Sequence, residues 1–517
     1  MIEGELLAPH VQALRILFLT LEFRAGTFSG NGVYATAQVR ALTAAGHKLF
    51  VVSAQPVHAA KPTEDYGVLK IVEVPVSSWH RLDAGAPWRE FAAGVLDGAV
   101  SEAVRAFAPQ VVLAVDWSAL QAVRNLLPYC GGAPYVYLNY RVFTRTAVGE
   151  DLELIRSMEA AAMSESILTV ALSRSDAHYL ATQVAGRGRG NYRAEGAGRA
   201  SSIAAQNGAQ GNEEERQQQC ADGEGASGVG LAGDAGLLMP LPKVLLPALR
   251  EDVRQLQPPA DLARLATILL DNKSVNQEEA QQQNQQQVSQ EGSCDAAEAE
   301  VEAQAAAFVA SRPYLSCVVR LSPEKEPERF VAAVEALAGQ GLLERFGLTP
   351  LLLGVANDEY AQALKARLRA AAPTSVILER FVGPAELAQL YRQTRLNFHP
   401  STYDAYGMTI VEAASQGAPS VVHDGDGAVG ATDLLRGGDG EVFLVDLEAP
   451  AEQVAAAVGS ILAAPVRLAG TAVRALRKAR SWDEAANAAE LVRMVQEAMG
   501  GGAVTEVLVR VWREGNA

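Results

Sequence analysis

The chain alternates short apolar runs with stretches of helical periodicity. Residues 14–20 form an apolar run bounded by polar sequence, as expected for a buried parallel strand. Tyr34, Ala37 and Ala41 then recur at three- and four-residue spacing, which predicts a helix. Further apolar runs predict strands at 49–52, 111–115 and 135–138. The first part of the chain therefore resembles a succession of strand–helix units.

The same alternation returns nearer the C-terminus. The pattern there predicts strands at 315–319, 351–353 and 376–378, and helices at 327–338, 359–370 and 384–393. Alternating strands and helices favour parallel sheets covered by helices on both faces. The fold class is thus α/β, with two halves, and a length of 517 residues agrees with two or three domains.

Two segments interrupt this pattern. Residues 186–235 are rich in Gly, Ala, Asn and Gln, and residues 257–306 contain a Gln-rich run. Neither segment has enough apolar side chains to offset the entropy of ordering it, so both are predicted to be disordered insertions. The tail at 505–512 alternates like an edge strand, and we assign it no function.

Composition narrows the classes of function. A net charge of −16 argues against a nucleic-acid partner, which needs a basic surface. The four cysteines have no paired spacing, which favours a reducing compartment over a disulfide framework or a zinc site. No apolar run approaches the ~20 residues of a membrane span, and the N-terminus lacks a signal-peptide pattern. These features predict a soluble cytoplasmic protein, with peripheral membrane contact left open.

The segment 399–412 carries the strongest chemical signal. Asp404 and Glu412 lie eight residues apart, with Gly407 between them. A helix that begins at Gly407 directs its free N–H groups at a nearby phosphate, while glycine lets the backbone approach a ligand closely. Asp404 then lies before the helix and Glu412 about two turns into it, so the two acids can face different parts of one ligand. A nucleotide diphosphate sugar suits this arrangement.

The motif resembles that of the family-4 retaining glycosyltransferases, which have the GT-B fold of two Rossmann-like domains facing across a cleft. Pro400, Ser401, Gly407 and Glu412 match the family pattern, whereas Asp404 replaces a Glu. At the aromatic position, Tyr406 replaces a Phe. The resemblance implies that Asp404 contacts hydroxyls of the donor sugar, that Glu412 holds the nucleotide ribose, and that Gly407 and Tyr406 belong to the donor site.

Two cations follow the first strand of the second half. Arg320 and Lys325 would lie at the carboxyl end of that strand, where a diphosphate leaving group needs fixed positive charge. The family carries an Arg and a Lys at the same spacing, each beside a glycine. Here Val319 and Glu326 replace those two glycines. The resemblance implies a catalytic role for Arg320 and Lys325 together with Asp404.

Further donor contacts are expected in two loops. Gly30 and Gly32 precede the first predicted helix, where the family has a glycine-rich loop near the donor phosphates. A dinucleotide-binding fingerprint does not fit there, because the preceding loop is too long and the next strand ends without an acid. Phe381 and Val382 resemble a family turn whose backbone commonly contacts the nucleotide base.

The acceptor side is less well marked. Asp116 ends a strand of the first half and is either an acceptor contact or a helix N-cap. Tyr140 lies where many family members have a histidine near the reacting centre, and we include it as a weak cleft residue. Asp424 and Asp426 flank a glycine in a pattern that turn chemistry explains without a metal. His399 is interpreted as a structural histidine with satisfied hydrogen bonds.

The predicted organisation follows from these assignments. It comprises an N-terminal acceptor domain at 12–185, the insertion at 186–235, the interdomain crossing at 236–256, the insertion at 257–306, a donor-binding domain at 307–480 and a returning terminal helix at 481–500.

The predicted function is retaining transfer of a hexose from a nucleotide diphosphate sugar to an unidentified acceptor, without metal or cofactor. The alternatives are a catalytically weak nucleotide-sugar sensor and another GT-B enzyme, such as a nucleotide-sugar epimerase. A phosphorylase would need a lysine that holds pyridoxal phosphate, and no motif indicates one.

Overall fold

The computed structural model describes residues 13–24, 30–61, 63–77, 87–185, 241–262, 264–267 and 291–500. The predicted insertion at 186–235, the centre of the second insertion and the tail at 505–512 lie outside these ranges.

The first domain is built on a sheet with a single antiparallel pair at one edge. Its strands are β1 (Arg15–Thr20), β2 (Lys48–Pro56), β3 (Glu64–Asp65), β4 (Leu69–Val76), β5 (Val111–Val115), β6 (Tyr135–Asn139), β7 (Leu168–Ala171) and β8 (Lys243–Val244). They lie in the order β3-β4-β2-β1-β5-β6-β7-β8, and every pairing except β3 with β4 is parallel. Nearly all side chains of β1, β2, β5 and β6 are buried, as continuous apolar strands require.

Helices cover both faces of this sheet. They are α1 (Gly30–Ala44), α2 (Trp88–Gly94), α3 (Gly98–Phe107), α4 (Leu120–Leu126), α5 (Gly149–Glu165), α6 (Arg174–Tyr179) and α7 (Glu251–Arg254). Short 3-10 turns follow β5 at Trp117–Ala119 and β6 at Phe143–Arg145. Gly30 and Gly32 form the first turn of α1, whereas the sequence placed them in the loop before it.

The second domain has a fully parallel sheet of six strands. The strands are β9 (Tyr314–Val318), β10 (Thr349–Leu353), β11 (Val376–Leu378), β12 (Thr394–Phe398), β13 (Ser420–His423) and β14 (Phe443–Val445). Their order, β11-β10-β9-β12-β13-β14, is that of a Rossmann sheet. The order in which strands are added to the sheet reverses between β9 and β12, as it does between β1 and β5 in the first sheet, and each reversal opens a crevice at the carboxyl ends of the strands.

The helices of the second domain alternate with its strands. They are α8 (Glu291–Ala310), α9 (Pro327–Gly339), α10 (Leu342–Phe346), α11 (Glu359–Ala371), α12 (Pro384–Arg392), α13 (Met408–Ser415), α14 (Ala451–Leu462), α15 (Pro465–Ser481) and α16 (Glu484–Gly500). The predicted α/β architecture with two doubly wound halves is therefore confirmed. The predicted elements at 327–338, 359–370 and 376–378 agree with the structure to within one residue at each end.

The second insertion is shorter than the predicted range of 257–306. Helix α8 begins at Glu291, and Ala305 on this helix is buried in the core of the second domain. At the other end, Leu262 and Leu265 are buried in the same core. The Gln-rich composition masked these apolar positions, because the low-complexity run dominates the sequence on both sides of them.

The chain crosses between the domains after β8 and returns at its C-terminal end. Leu249 pairs with Asp483, and the Trp482 indole donates a hydrogen bond of 2.8 Å to the carbonyl of Leu246. Helix α16 then packs along α1, where the Asn487 side chain also donates to the Leu246 carbonyl at 2.8 Å. The predicted return of a terminal helix to the first domain agrees with these contacts.

One apolar core is continuous across the domain boundary. Tyr34 and Tyr140 of the first domain belong to the same buried cluster as Tyr406, Ile410 and Val429 of the second. The rings of Tyr34 and Tyr140 lie with their centroids 4.7 Å apart. The two domains are thus in direct contact beside the carboxyl ends of both sheets.

Among the described helices, none by itself combines the length and the apolar composition needed to cross a bilayer. Helices α14 and α15 meet those criteria only when they are taken together, across a bend of 87°.

Glu484 is the strongest polar anchor of the terminal helix, and it supports a stability prediction. Its carboxylate is buried and accepts hydrogen bonds from the Arg40 Nε at 3.0 Å and the Glu251 backbone N–H at 2.8 Å. We expect Glu484→Ala to lower the free energy of unfolding by about 1–3 kcal/mol. The substitution removes the charge-assisted hydrogen bond from Arg40 and leaves the Glu251 N–H without its acceptor.

Urea unfolding measures this change, and limited proteolysis near Ser481 reports release of the helix. The control is Glu490→Ala on the same helix, whose surface pair with Arg493 is worth less than about 0.5 kcal/mol. Equal destabilisation by the two substitutions would contradict the anchoring role of Glu484.

Candidate active site

The predicted catalytic carboxylate and one predicted cation form an ion pair. The Lys325 Nζ lies 2.6 Å from Oδ2 of Asp404, in the crevice beside β9 and β12. Burial would raise the pKa of Asp404, but the charge of Lys325 and the neighbouring His399 outweigh it and hold that pKa well below its usual value. Asp404 is therefore ionised, and its charge is directed at Lys325.

The second predicted cation is held differently. Arg320 lies 2.7 Å from the carboxylate of Glu324, one helical turn along the same loop. Its side chain remains partly exposed, so its guanidinium is accessible from the crevice. Burial raises the pKa of Glu324, but the charge of Arg320 outweighs this effect, together with other contacts. Arg141 of the first domain also lies close enough for its charge to lower the pKa of Glu324. Charges from both domains thus meet at this loop.

Helix α13 begins where the motif predicts. Gly407 precedes its first residue with φ of 87°, a conformation that favours glycine. A Cβ atom at Gly407 would also lie 2.8 Å from the Cδ1 of Ile410, which would have to shift. The N-terminus of α13 therefore lies just beyond the Lys325–Asp404 pair, and its N–H groups add positive potential to the crevice.

Glu412 is buried on α13 and faces the interdomain crossing. Its Oε1 lies 3.4 Å from the Nε of Arg250. Burial raises the pKa of Glu412, and the charge of Arg250 opposes that rise. The sequence did not indicate Arg250 as a partner, because the two residues are far apart along the chain.

Two predicted site residues instead belong to the interdomain core. Tyr406 is buried, and its hydroxyl makes no hydrogen bond within the described part of the chain. Tyr140 is also buried and donates to the Oε1 of Gln38 at 2.6 Å, so it packs inside rather than facing the cleft. Both rings lie where apolar packing joins the domains, and the sequence does not distinguish this position from a ligand contact.

Asp116 has the most unusual backbone in the first domain. Its φ of 58° and ψ of 168° lie in a region that residues other than glycine rarely adopt. Its carboxylate accepts hydrogen bonds from the Tyr140 N–H at 2.7 Å and from the Asn31 side chain at 2.6 Å. The side chain makes no cap bond to the turn that follows, so the N-cap interpretation is wrong. Burial raises its pKa well above the usual value, and the charge of Glu22 adds to the rise.

A small pocket, with room for about one water molecule, lies beside Asp116 at the carboxyl ends of β1 and β5. It is lined by Thr20, Leu21, Glu22, Asn31, Val115, Asp116 and Ser118. Glu22 and Asn31 were not among the predicted site residues. Asn31 lies between Gly30 and Gly32, and Glu22 lies before them in the chain. This pocket occupies the first crevice, as the Lys325–Asp404 pair occupies the second.

Phe381, Val382 and His399 differ in their exposure to solvent. Phe381 is 85% exposed while Val382 beside it is buried, so the aromatic ring is not used for packing. His399 is buried, and neither of its ring nitrogens makes a hydrogen bond among the described residues. Its Nε2 lies 3.5 Å from the Asp404 carboxylate, so His399 lies beside the predicted catalytic acid.

Asp424 and Asp426 lie in a turn that the Ala428 N–H closes on the Gly425 carbonyl at 3.0 Å, in agreement with the turn interpretation. Within the described ranges, His423, Asp446 and Glu448 are close enough together to share an ion. The Nδ1 of His423 already accepts the Leu447 N–H at 3.2 Å. The prediction that no metal is required stays a prediction.

Glu159 anchors the loop that carries Arg141 and Arg145 towards the cleft. Its carboxylate accepts hydrogen bonds from the Phe143 N–H at 2.8 Å and the Thr144 hydroxyl at 2.7 Å. Burial raises the pKa of Glu159 to about 7, above its ordinary value of 4.5. The folded state therefore binds this proton more tightly than the unfolded state does, and stability is lost as the pH rises through about 7.

We expect Glu159→Gln to be more stable than the wild type at pH 8, by at most about 3 kcal/mol, because the amide cannot ionise. The difference should shrink towards pH 5. Thermal unfolding at a series of pH values measures it, with Glu165→Gln, at the exposed end of the same helix, as the control. Some pH dependence remains in the variant, since burial also raises the pKa of Asp176, to about 6. An unchanged slope between pH 5 and 8 would refute this assignment.

Comparison with known proteins finds similarity to glycosyltransferases. Residues 312–464 match the family model described as Glycosyl transferases group 1. A D-inositol 3-phosphate glycosyltransferase from Segniliparus rotundus is 30% identical over 200 residues, which cover 38% of this chain and 42% of that protein. The match thus spans less than half the length of this curated relative.

Solved structures match over almost the whole chain. A sucrose-phosphate synthase from Thermosynechococcus elongatus superposes with a TM-score of 0.62 at 13% identity, over 95% of this chain and all of that one. HepE from Anabaena, in complex with UDP-glucose, superposes with a TM-score of 0.53 at 14% identity, over 94% of this chain and all of that one. Together with the two facing crevices, these matches show that the fold is GT-B. The family match and the sequence relative support a glycosyltransferase.

Proposed function

We propose that the protein is a retaining glycosyltransferase that moves a hexose from a nucleotide diphosphate sugar to a hydroxyl of an acceptor. The observation that carries the proposal is the Lys325–Asp404 pair, which lies at the crevice of the second sheet beside the N-terminus of α13. A cation, a helix N-terminus and an ionised acid at one point suit a diphosphate joined to a sugar.

The leaving group would be stabilised from three directions. Lys325 and Arg320 supply positive charge, and the N–H groups at the start of α13 supply the helix dipole. Diphosphate oxygens would replace part of the carboxylate contact that each cation now makes. As the bond between the anomeric carbon and the diphosphate oxygen breaks, the negative charge that develops stays on groups already surrounded by donors.

The acceptor would enter from the first domain. The pocket at Asp116 and Glu22 offers carboxylate and amide groups that suit hydroxyls. In a retaining reaction of this type, the acceptor oxygen bonds to the anomeric carbon on the face that the diphosphate leaves. The acceptor proton passes to the departing diphosphate oxygen, so no separate protein base is needed.

The donor's remaining contacts follow from the resemblance and the geometry. Asp404 would orient hydroxyls of the hexose, and Glu412 would bind the ribose beside Arg250, whose charge opposes the rise that burial causes in the pKa of Glu412. Phe381 and Val382 would lie by the base, and Gly30 and Gly32 by the phosphates. HepE was solved with UDP-glucose, which makes UDP-glucose the first donor to test.

A second candidate function is nucleotide-sugar binding without turnover. Lys325 and Arg320 are each already paired with a carboxylate of their own domain, which weakens the positive charge that a leaving diphosphate meets. A protein that senses a nucleotide sugar needs no such charge. This candidate predicts donor binding with no release of nucleotide diphosphate.

Donor turnover distinguishes these functions. We expect slow release of free nucleotide diphosphate from one member of a panel of UDP-, GDP- and ADP-sugars, without added acceptor. Lys325→Ala and Asp404→Asn should each lower that rate by about 100-fold or more, because each removes a group that acts on developing charge. An epimerase would convert the donor sugar without releasing nucleotide diphosphate.

The matched controls are Lys478→Ala and Asp439→Asn, two exposed residues of the second domain, which should retain the wild-type rate. Binding of a nucleotide sugar with no turnover of any donor favours the sensor. Turnover that survives in both active-site variants would contradict the assignment of these residues.

A further inference from the structure

A residue of the first domain contacts the residue that immediately precedes Asp404. The hydroxyl of Tyr403 donates a hydrogen bond of 3.1 Å to Oδ1 of Asp176. Tyr403 immediately precedes Asp404 in the chain, whereas Asp176 lies on α6 of the first domain and is completely buried. This hydrogen bond therefore joins the backbone that carries Asp404 to the opposite domain.

Arg145 fixes the same contact from a second direction. Its Nη1 lies 2.8 Å from Oδ1 of Asp176, and its Nη2 donates to the Ser175 hydroxyl at 2.9 Å. The guanidinium carbon stacks over the Tyr403 ring at 4.5 Å from the centroid. Tyr403 is thus held both at its hydroxyl and across its ring face, which leaves its side chain little rotational freedom.

The backbone on the other side of Asp404 is held as closely. The Asp404 N–H donates to the Ala428 carbonyl at 3.2 Å, and its carbonyl accepts from the Gly430 N–H at 2.9 Å. A Cβ atom on Gly430 would lie 2.2 Å from the Ala405 carbonyl oxygen and 2.8 Å from the Cβ of Ser173. Residues 403–405, residues 428–430 and the start of α6 are therefore packed without spare space.

The short side chain of Asp404 makes this positioning necessary. Aspartate has one methylene fewer than the glutamate it replaces in the resembled motif, so the backbone must carry more of the placement of its carboxylate. We infer that Asp176 is a positioning residue for Asp404, which acts across the domain boundary through the Tyr403 hydroxyl. The inference rests on the proposed function, because it concerns the geometry of the carboxylate that orients the donor sugar.

The cost of this arrangement supports a role beyond packing. Oδ2 of Asp176 is buried and has no hydrogen-bond partner within the described part of the chain. A buried carboxylate with one unsatisfied oxygen destabilises the folded state relative to an apolar residue of similar size. What it provides in return is a fixed contact between the two domains at the residue next to Asp404.

The test removes the Tyr403 hydroxyl, which links Asp176 to the backbone of Asp404. Tyr403→Phe keeps the ring over Arg145 and should lower kcat for donor turnover about 10-fold, because a small displacement of a catalytic group has a large effect on rate. The donor KM should change by less than about twofold, since the nucleotide and diphosphate contacts remain. The control is Tyr179→Phe, whose ring flanks Arg145 at 4.9 Å and whose hydroxyl makes no hydrogen bond among the described residues. It should retain the wild-type kcat.

A double-variant cycle shows whether the effect passes through Asp404. In the Asp404→Asn background, Tyr403→Phe should cause almost no further loss, because the group it positions has already been altered. Asp176→Asn should resemble Tyr403→Phe, and the two together should not exceed either alone. A full 10-fold loss in the Asp404→Asn background would overturn the inference, since the hydroxyl would then act independently of Asp404.

A readout that needs no activity separates this inference from the proposed function. Hydrogen–deuterium exchange of the amides at 404–412 should be at least several-fold faster in Tyr403→Phe than in Tyr179→Phe. Equal exchange in the two variants would contradict positioning even if turnover is observed. A wild-type protein without turnover would contradict the proposed function, while faster exchange in Tyr403→Phe alone would still support the contact.

Discussion

The partly buried charge of Asp404, which pairs with Lys325, is the constraint on which the donor site depends. A carboxylate in this position destabilises the fold unless a cation lies beside it, and Lys325 does so at 2.6 Å. The two residues come from loops after neighbouring strands, β9 and β12, and only the reversal of strand order brings those loops together. The Tyr403 side chain and the backbone hydrogen bonds to Ala428 and Gly430 then hold Asp404 beside the start of α13.

The sequence missed β4, β7 and β12, but it predicted β1, β2, β5 and β6 of the first sheet and β9, β10 and β11 of the second, where continuous apolar runs mark parallel strands. It also predicted the start of α13, where Gly407 adopts a conformation that favours glycine. Lys325 and Asp404 were predicted as members of one site from their order along the chain, and the structure brings them into contact. These features depend on local pattern and on the fixed topology of a Rossmann sheet.

Contacts between distant segments could not be predicted in the same way. Nothing near Glu412 in the sequence indicates Arg250, and nothing near Tyr403 indicates Asp176. Tyr406 was predicted as a donor-site residue and Tyr140 as a weak cleft residue from their positions in the resembled family, whereas both side chains are buried in the interdomain core. The bounds of the second insertion were misplaced because apolar residues such as Leu262 lie close to low-complexity sequence.

The most direct test of the account is a crystal structure of the protein with UDP-glucose bound. The account predicts a phosphate oxygen about 3 Å from Lys325 Nζ, within reach of the first N–H groups of α13, and the hexose against Asp404. The hexose should also face the pocket at Asp116. A nucleotide sugar bound elsewhere, with the Lys325–Asp404 pair unchanged, would contradict the central claim that this pair forms the donor site.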